Sequence, residues 1–98
     1  MYFNQAEFGR RAAELRKIKR MTQEDLAEKL GVSKKHISEI ERGIAACSID
    51  LLLDISSALN VSTDYLLTGK NSDKEIVRAQ LIEVISKLSD IAQLLYVV

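Results

Sequence analysis

"TQEDLAEKLGVSKKHISEIERG", residues 22–43, decides how this chain folds. Thr22 precedes "QEDL" and can cap the free N–H groups at the start of a helix. Glu24 and Asp25 suit the positive end of that helix dipole. Leu26, Ala27 and Leu30 recur at helical spacing, and Gly31 stands where a left-handed stop is wanted. Ser33 then opens another helix, with Ile37 and Ile40 on one side and Gly43 past its end. The link runs only from Gly31 to Ser33, which forces a sharp angle between the two segments, the helix-turn-helix arrangement. The second of them is polar around its start, with Lys34, Lys35, His36 and Ser38. That face is either merely solvated or presented to something.

Outward from this stretch the same signals repeat. Asn4, with Glu7 three residues on, opens a first helix on a capping box. Its inner stripe is Phe8, Ala12, Leu15 and Ile18, and its other face carries Arg10, Arg11, Lys17 and Arg20. Gly9 interrupts that helix, which suits the close approach of another backbone or is simply tolerated. Ser48 caps a fourth helix running to about Leu59, with Leu52, Ile55 and Leu59 inward and Asn60 as its stop. A short fifth segment, "STDYLL", starts at Ser62 and closes at Gly69. "GKNSD", residues 69–73, is the linker-like stretch. Ser72 and Glu75 then form a capping box for a last helix from about Asp73 nearly to the end.

Composition agrees. The 98 residues are 47% apolar and 29% charged, ordinary globular material of single-domain size. There are no prolines and four glycines, which points to an all-α chain with short connections. Net charge is zero, but residues 1–46 hold ten Lys/Arg against seven Asp/Glu, and residues 47–98 hold four against seven. The basic half is the N-terminal one, which hints at a polyanionic partner there. A single cysteine, Cys47, excludes an internal disulfide; it reads as a small half-buried thiol, with a redox sensor as the rival. Charges run throughout residues 1–20, so no signal peptide is expected. No apolar run reaches membrane-spanning length, and a cytoplasmic chain without membrane contact is expected. Paired carboxylates in a cleft, a Ser/His/Asp order, a phosphate loop and a metal constellation are all missing from the pattern. The expectation is a non-enzyme with no cofactor and no metal.

The pieces "RRAAELRKIKRMTQEDLAEKLGVSKKHISEIERG" and "LLLDISSALNVSTDYLLTG" resemble the phage-repressor and Cro-type helix-turn-helix family of transcription regulators, also called the XRE family. The resemblance spans residues 10–69 and is specific, because "TQEDLAEKLGVS" and "IERG" keep their spacing. It implies a compact, lambda-repressor-like bundle of five helices over residues 1–69. It also implies a sequence-specific, double-stranded-DNA-binding regulator of the bacterial or phage type, bound to the nucleoid when engaged. One departure stands out: after "IERG" the family usually continues with a basic residue and a proline, whereas here the text is "IAACS". A phosphate contact from Ile44 to Cys47 is therefore not expected.

In a helix-turn-helix unit the second of the two helices enters the major groove. Lys34, Lys35, Ser38 and Glu39 are the candidate base contacts. Lysine donates to guanine, serine pairs either way, and glutamate accepts from cytosine. Lys35 serves equally as a phosphate contact, and the alternative for all four is a solvated polar face. The candidate phosphate contacts are Gln23, Ser33, Arg42 and His36. The resemblance implies that role for Gln23, in the first turn of its helix, and for Arg42; a helix N-terminus is itself an anion site. The rivals are an exposed glutamine, a plain helix cap at Ser33 and a favourable dipole position for Arg42. His36 meets either the DNA backbone or a base. Arg10 and Arg11 add phosphate contacts or simply form an exposed basic face. The resemblance also implies that Arg16 and Glu41 pair beneath the DNA-facing surface, a structural role.

Residues 70–98 lie outside the resemblance. Val77, Leu81, Val84, Leu88, Ile91, Leu95 and Val98 follow at alternating spacings of four and three, so every a and d position of the heptads is apolar. Ile85 and Ala92 widen the stripe; Glu83, Ser86, Asp90 and Gln93 mark the opposite side. Two readings remain: the helix folds back along its own domain, or it pairs with its copy. Pairing, parallel or antiparallel, predicts a homodimer that reads a palindromic operator, most simply as a repressor. The competing function is an antitoxin-like or signalling interaction module that captures a protein partner through this helix, with DNA contact secondary.

Overall fold

Each of the first five helices starts on a side chain that accepts a backbone N–H three residues on. The caps are Asn4, Thr22, Ser33, Ser48 and Ser62. A cap of this kind contributes about 1 kcal/mol. The helices are α1 (Gln5–Ile18), α2 (Gln23–Leu30), α3 (Lys34–Glu41), α4 (Ile49–Leu59), α5 (Thr63–Thr68) and α6 (Ser72–Tyr96). They come from a computed structural model, which describes residues 3–70 and 72–96 and places no strand among them. The chain is all-α over those residues. Val98, and the capping box expected of the Ser72 and Glu75 side chains, lie outside the described residues.

Thr22 and Asp25 close a full capping box on α2, each side chain bonded to the other's backbone N–H. At α1 only the Asn4 half forms as expected; the Glu7 carboxylate turns instead to Arg10, 3.0 Å away. α2, α4 and α5 end on left-handed residues at Gly31, Asn60 and Gly69. After α1 the cap Lys19 is not left-handed, and the next residue, Arg20, takes that conformation with φ 58°. A side chain is tolerated there because Met21 N–H reaches back to the Arg16 carbonyl and closes the turn.

The core lies between these helices. Phe8, Leu15, Leu26, Ile37, Ile40, Ile55, Leu59, Tyr65 and Leu66 are shut off from water. The inner stripe of α4 is Leu51, Ile55, Ala58 and Leu59, while Leu52 is only half-buried. "LLL" at 51–53 offers three consecutive leucines, and both Leu51 and Leu52 fit a three-to-four spacing with Ile55. Packing against the other helices decides between them.

Arg11 corrects a second expectation. It does not sit on an exposed basic face: it is 7% exposed, and its Nε donates to the Leu66 carbonyl at 3.0 Å. α5 packs over that side of α1, and arginine is long enough to satisfy a carbonyl in the last turn of α5.

α6 joins this body near its own start. Ala79 is buried in the common core, and Arg78 Nη1 donates to the Asn60 carbonyl at 2.9 Å. The helix then runs on, about 37 Å long at 1.5 Å per residue. The described molecule accordingly measures 52 × 30 × 19 Å. Val77, Leu81, Val84, Leu88, Ile91 and Leu95 are all more than half exposed, from 52% at Val84 to 76% at Leu95. The stripe therefore does not fold back on its own domain. Among the described residues no helix is long and apolar enough to cross a membrane.

Candidate nucleic-acid interface

α3 is held from two sides. Ile37 and Ile40 sit in the core and fix its inner face. Its C-terminal end meets α1 at Gly9, where a Cβ would collide with the Ile40 carbonyl oxygen and lie 2.7 Å from that of Glu41. Only a residue without a side chain allows this approach. Gly43, with φ 76°, brings its backbone close to Ala6, where a Cβ would lie 2.7 Å from the Ala6 Cα, and the Gln5 amide donates to its carbonyl at 2.8 Å. The Gln5 contact had no signal in the sequence; Gly9 did, as a glycine inside a helical pattern.

Beneath this surface lies the expected ion pair. Arg16 Nε donates to Glu41 Oε2 at 2.7 Å and Nη2 donates to Oε1 at 3.0 Å. Both side chains are nearly shut off from water, at 9% and 6% exposure. Arg16 Nη1 also donates to the Met21 carbonyl at 2.8 Å. Glu41 takes a further bond at 2.9 Å, from Gln23 Nε2. One carboxylate thus ties α1, the start of α2 and the end of α3 together. The planar guanidinium and the carboxylate fit each other in the two-bond geometry that makes such pairs strong. Nothing in the spacing of Gln23 and Glu41 along the sequence announces this link.

The candidate base contacts are not all placed alike. At about 100° per residue, Lys35 and Glu39 lie opposite the buried Ile37–Ile40–Glu41 side; Lys35 is exposed and Glu39 half-buried. Ser38, half-buried, and Arg42, exposed, lie beside them on the same side. Lys34 flanks the face on the α2 side. Its ammonium is 3.7 Å from Glu24, with both side chains well exposed. An exposed pair of this kind is worth well under ~1 kcal/mol and yields readily to a stronger anion. Lys34 and Glu24 border an open cleft of about 450 Å³, which Arg16, Met21, Thr22 and Gln23 complete. The cleft lies between the starts of α2 and α3, where helix-end N–H groups point outward. His36 is half-buried on the other flank of α3.

Among the candidate phosphate contacts, Ser33 accepts the His36 N–H at 3.0 Å, and its own hydroxyl hydrogen remains able to donate. Gln23 is oriented by Glu41. Arg42 folds its Nε onto the Ser38 carbonyl at 3.3 Å and stays exposed. Arg10 is exposed but pairs with Glu7 and Glu14, so it brings little net charge to the surface.

Cys47 lies in the apolar loop after α3, half-buried. Burial pushes its thiol up, away from the thiolate that oxidation requires. Among the described residues no group of three or more His, Cys, Asp or Glu could hold a metal ion.

Residues 13–66 match the family model described as "Helix-turn-helix". Over 92 residues the chain is 35% identical to the HTH-type transcriptional regulator ImmR of Bacillus subtilis (strain 168), covering 90% of this chain and 72% of that protein. Two solved structures share the fold. The P22 c2 repressor in complex with a synthetic operator is 38% identical with a TM-score of 0.62, over 64% of this chain and 96% of that one. In the SinR/SinI complex, the similar chain is 34% identical with a TM-score of 0.62, over 91% of this chain and 92% of that one.

Proposed function

The chain belongs to the phage-repressor and Cro-type helix-turn-helix family of DNA-binding transcription regulators, and from that premise we propose a homodimeric repressor that reads a palindromic operator with α3 in the major groove. The observation that carries this reading is the mounting of α3. A short helix is fixed by two isoleucines, a backbone contact at Gly9 and a buried ion pair, while its opposite side carries Lys35, Ser38, Glu39 and Arg42. Rigid support beneath and hydrogen-bonding groups above is what groove reading requires.

In this reading Lys34, Lys35, Ser38 and Glu39 meet base edges. Gln23, Ser33, His36 and Arg42 meet phosphate, with Gln23 held in place by Glu41 at 2.9 Å. The α6 stripe, Val77 to Leu95 with Val98 beyond it, pairs with its copy and sets the distance between two reading helices. Half-sites then fall one DNA turn apart, about 34 Å, or a multiple of it. The protein works in the cytoplasm, at the nucleoid.

Selection of bound duplexes from a random pool at physiological salt tests the reading. An enriched inverted repeat is the expected result, with affinity falling steeply as salt rises because phosphate contacts release counterions. Lys34→Ala relaxes base preference at one position, and Gln23→Ala lowers affinity evenly across sequences. A pool that stays random would overturn the reading.

A second reading uses the same helix: α6 captures a different protein and DNA binding is secondary. The uncovered stripe favours it, as does the similarity of 91% of this chain to a protein solved in a protein–protein complex. A single charge on the stripe separates the two. Leu88→Asp lowers affinity for the palindromic operator by about 100-fold or more if α6 joins copies of the chain, and leaves it unchanged if α6 serves another partner.

A further inference from the structure

We propose that Glu24 is a built-in competitor of DNA: it holds the Lys34 ammonium in the free protein and has to release it when a duplex arrives. The proposal rests on the reading of α3 as the groove helix and adds a residue that the reading does not use.

The two acidic residues in the first turn of α2 are placed differently. Asp25 turns back onto its own helix and accepts the Thr22 N–H at 2.9 Å, which completes the capping box. Glu24 turns outward, with its side chain 74% exposed, and its Oε1 stands 3.7 Å from Lys34 Nζ on the neighbouring helix. The helix dipole favours an acidic residue in this turn, but it does not direct that residue at α3. Arg16 lines the same cleft, yet its guanidinium is engaged by Glu41 and by the Met21 carbonyl. Lys34 is therefore the cation of this cleft that can still change partners.

A carboxylate in this position opposes a duplex in two ways. A base edge approaching Lys34 has to draw the ammonium away from Glu24. A phosphate approaching Gln23, the preceding residue, meets the negative charge of Glu24, and like charges repel. Both effects weaken binding without touching the core.

The opposite role, a guide that aims Lys34 at its base, requires a firm contact. The chain shows what a firm contact looks like: Arg16 and Glu41 share two short bonds and are nearly shut off from water. The Glu24–Lys34 pair is longer, single and exposed on both sides. A compact ammonium on a flexible four-carbon stem is not fixed by one such contact. The buried pair mounts α3, and the exposed pair acts as a brake on what α3 can bind.

Glu24→Gln removes the charge and keeps the shape of the side chain. Fluorescence anisotropy with a labelled duplex carrying the selected inverted repeat reads the effect. Binding is expected to tighten by about 3- to 10-fold at low salt and by less at physiological salt, since both the attraction to Lys34 and the repulsion of phosphate are screened. In a Lys34→Ala background only the repulsion remains, so the same substitution should gain about two-fold less. An equal gain in the two backgrounds overturns the competition for Lys34, and unchanged or weaker binding by Glu24→Gln overturns the brake. If selection enriches no repeat, a mixed-sequence duplex at low salt takes its place. A wild type that binds neither duplex overturns the DNA reading and this proposal together; a wild type that binds, with no gain from Glu24→Gln, overturns this proposal alone.

Discussion

α3 and α6 are both amphipathic, and they solve opposite problems. α3 has eight residues, too few to be stable alone. It is held by contacts from α1, by the core and by a buried ion pair, so its outward face is fixed in space. α6 has twenty-five residues and docks on its own body near one end, through Ala79 and Arg78. Its apolar face is left bare. The short helix is covered on its apolar side by its own chain; the long one is not. In the proposed reading, a groove-reading helix must be rigid before it meets DNA, whereas an assembly helix must stay uncovered until it meets its copy.

The largest effect should come from breaking the mounting of α3. Glu41→Ala leaves the Arg16 guanidinium buried without its carboxylate and releases Gln23 as well. Removing one partner of a buried pair costs roughly 3–5 kcal/mol. Urea unfolding should show a loss of that size, and a loss below about 1 kcal/mol would mean that the pair does not hold the helix. The next effect lies on the other side of the comparison. Leu88→Asp should leave the unfolding of the body unchanged, because Leu88 is 60% exposed. Operator affinity should still fall by about 100-fold or more as the effective concentration of the second reading helix vanishes. Titration of a palindromic duplex against its isolated half-site reads this out, since only the palindrome should lose affinity.

Gly9→Ala gives the smallest and most diagnostic effect. Helix propensity alone favours alanine by up to about 1 kcal/mol. The clash with the Ile40 and Glu41 carbonyls opposes it and, being backbone against backbone, is not relieved by a rotamer change. Overpacking of this kind costs roughly 1–3 kcal/mol. The net expectation is a destabilisation of about 1–2 kcal/mol in thermal unfolding. A stabilised variant would show that α1 and α3 stand farther apart.

Much of this was legible beforehand. The caps at Thr22 and Ser33, the stop at Gly31 and the short link between them act between near neighbours, so their chemistry is visible in the order of residues. The Arg16–Glu41 pair came from resemblance, and the structure supplies its geometry. Arg11 was not legible, because an arginine on a helix face looks the same whether or not a later helix covers it. The asymmetry of Lys34 was hidden too: its neighbour Glu24 lies ten residues earlier and on another helix.

By itself the sequence determined where helices start and stop, that two of them meet at a sharp angle, and that the last carries a continuous apolar stripe. These depend on backbone hydrogen bonding and periodicity, which span a few residues. Only the tertiary structure decided that Leu51 is buried while Leu52 is half-buried at the edge of the core, that Glu41 gathers Arg16 and Gln23, and that the α6 stripe is left exposed. Those outcomes depend on which surfaces compete for the same volume, and that competition is resolved only when distant segments pack together.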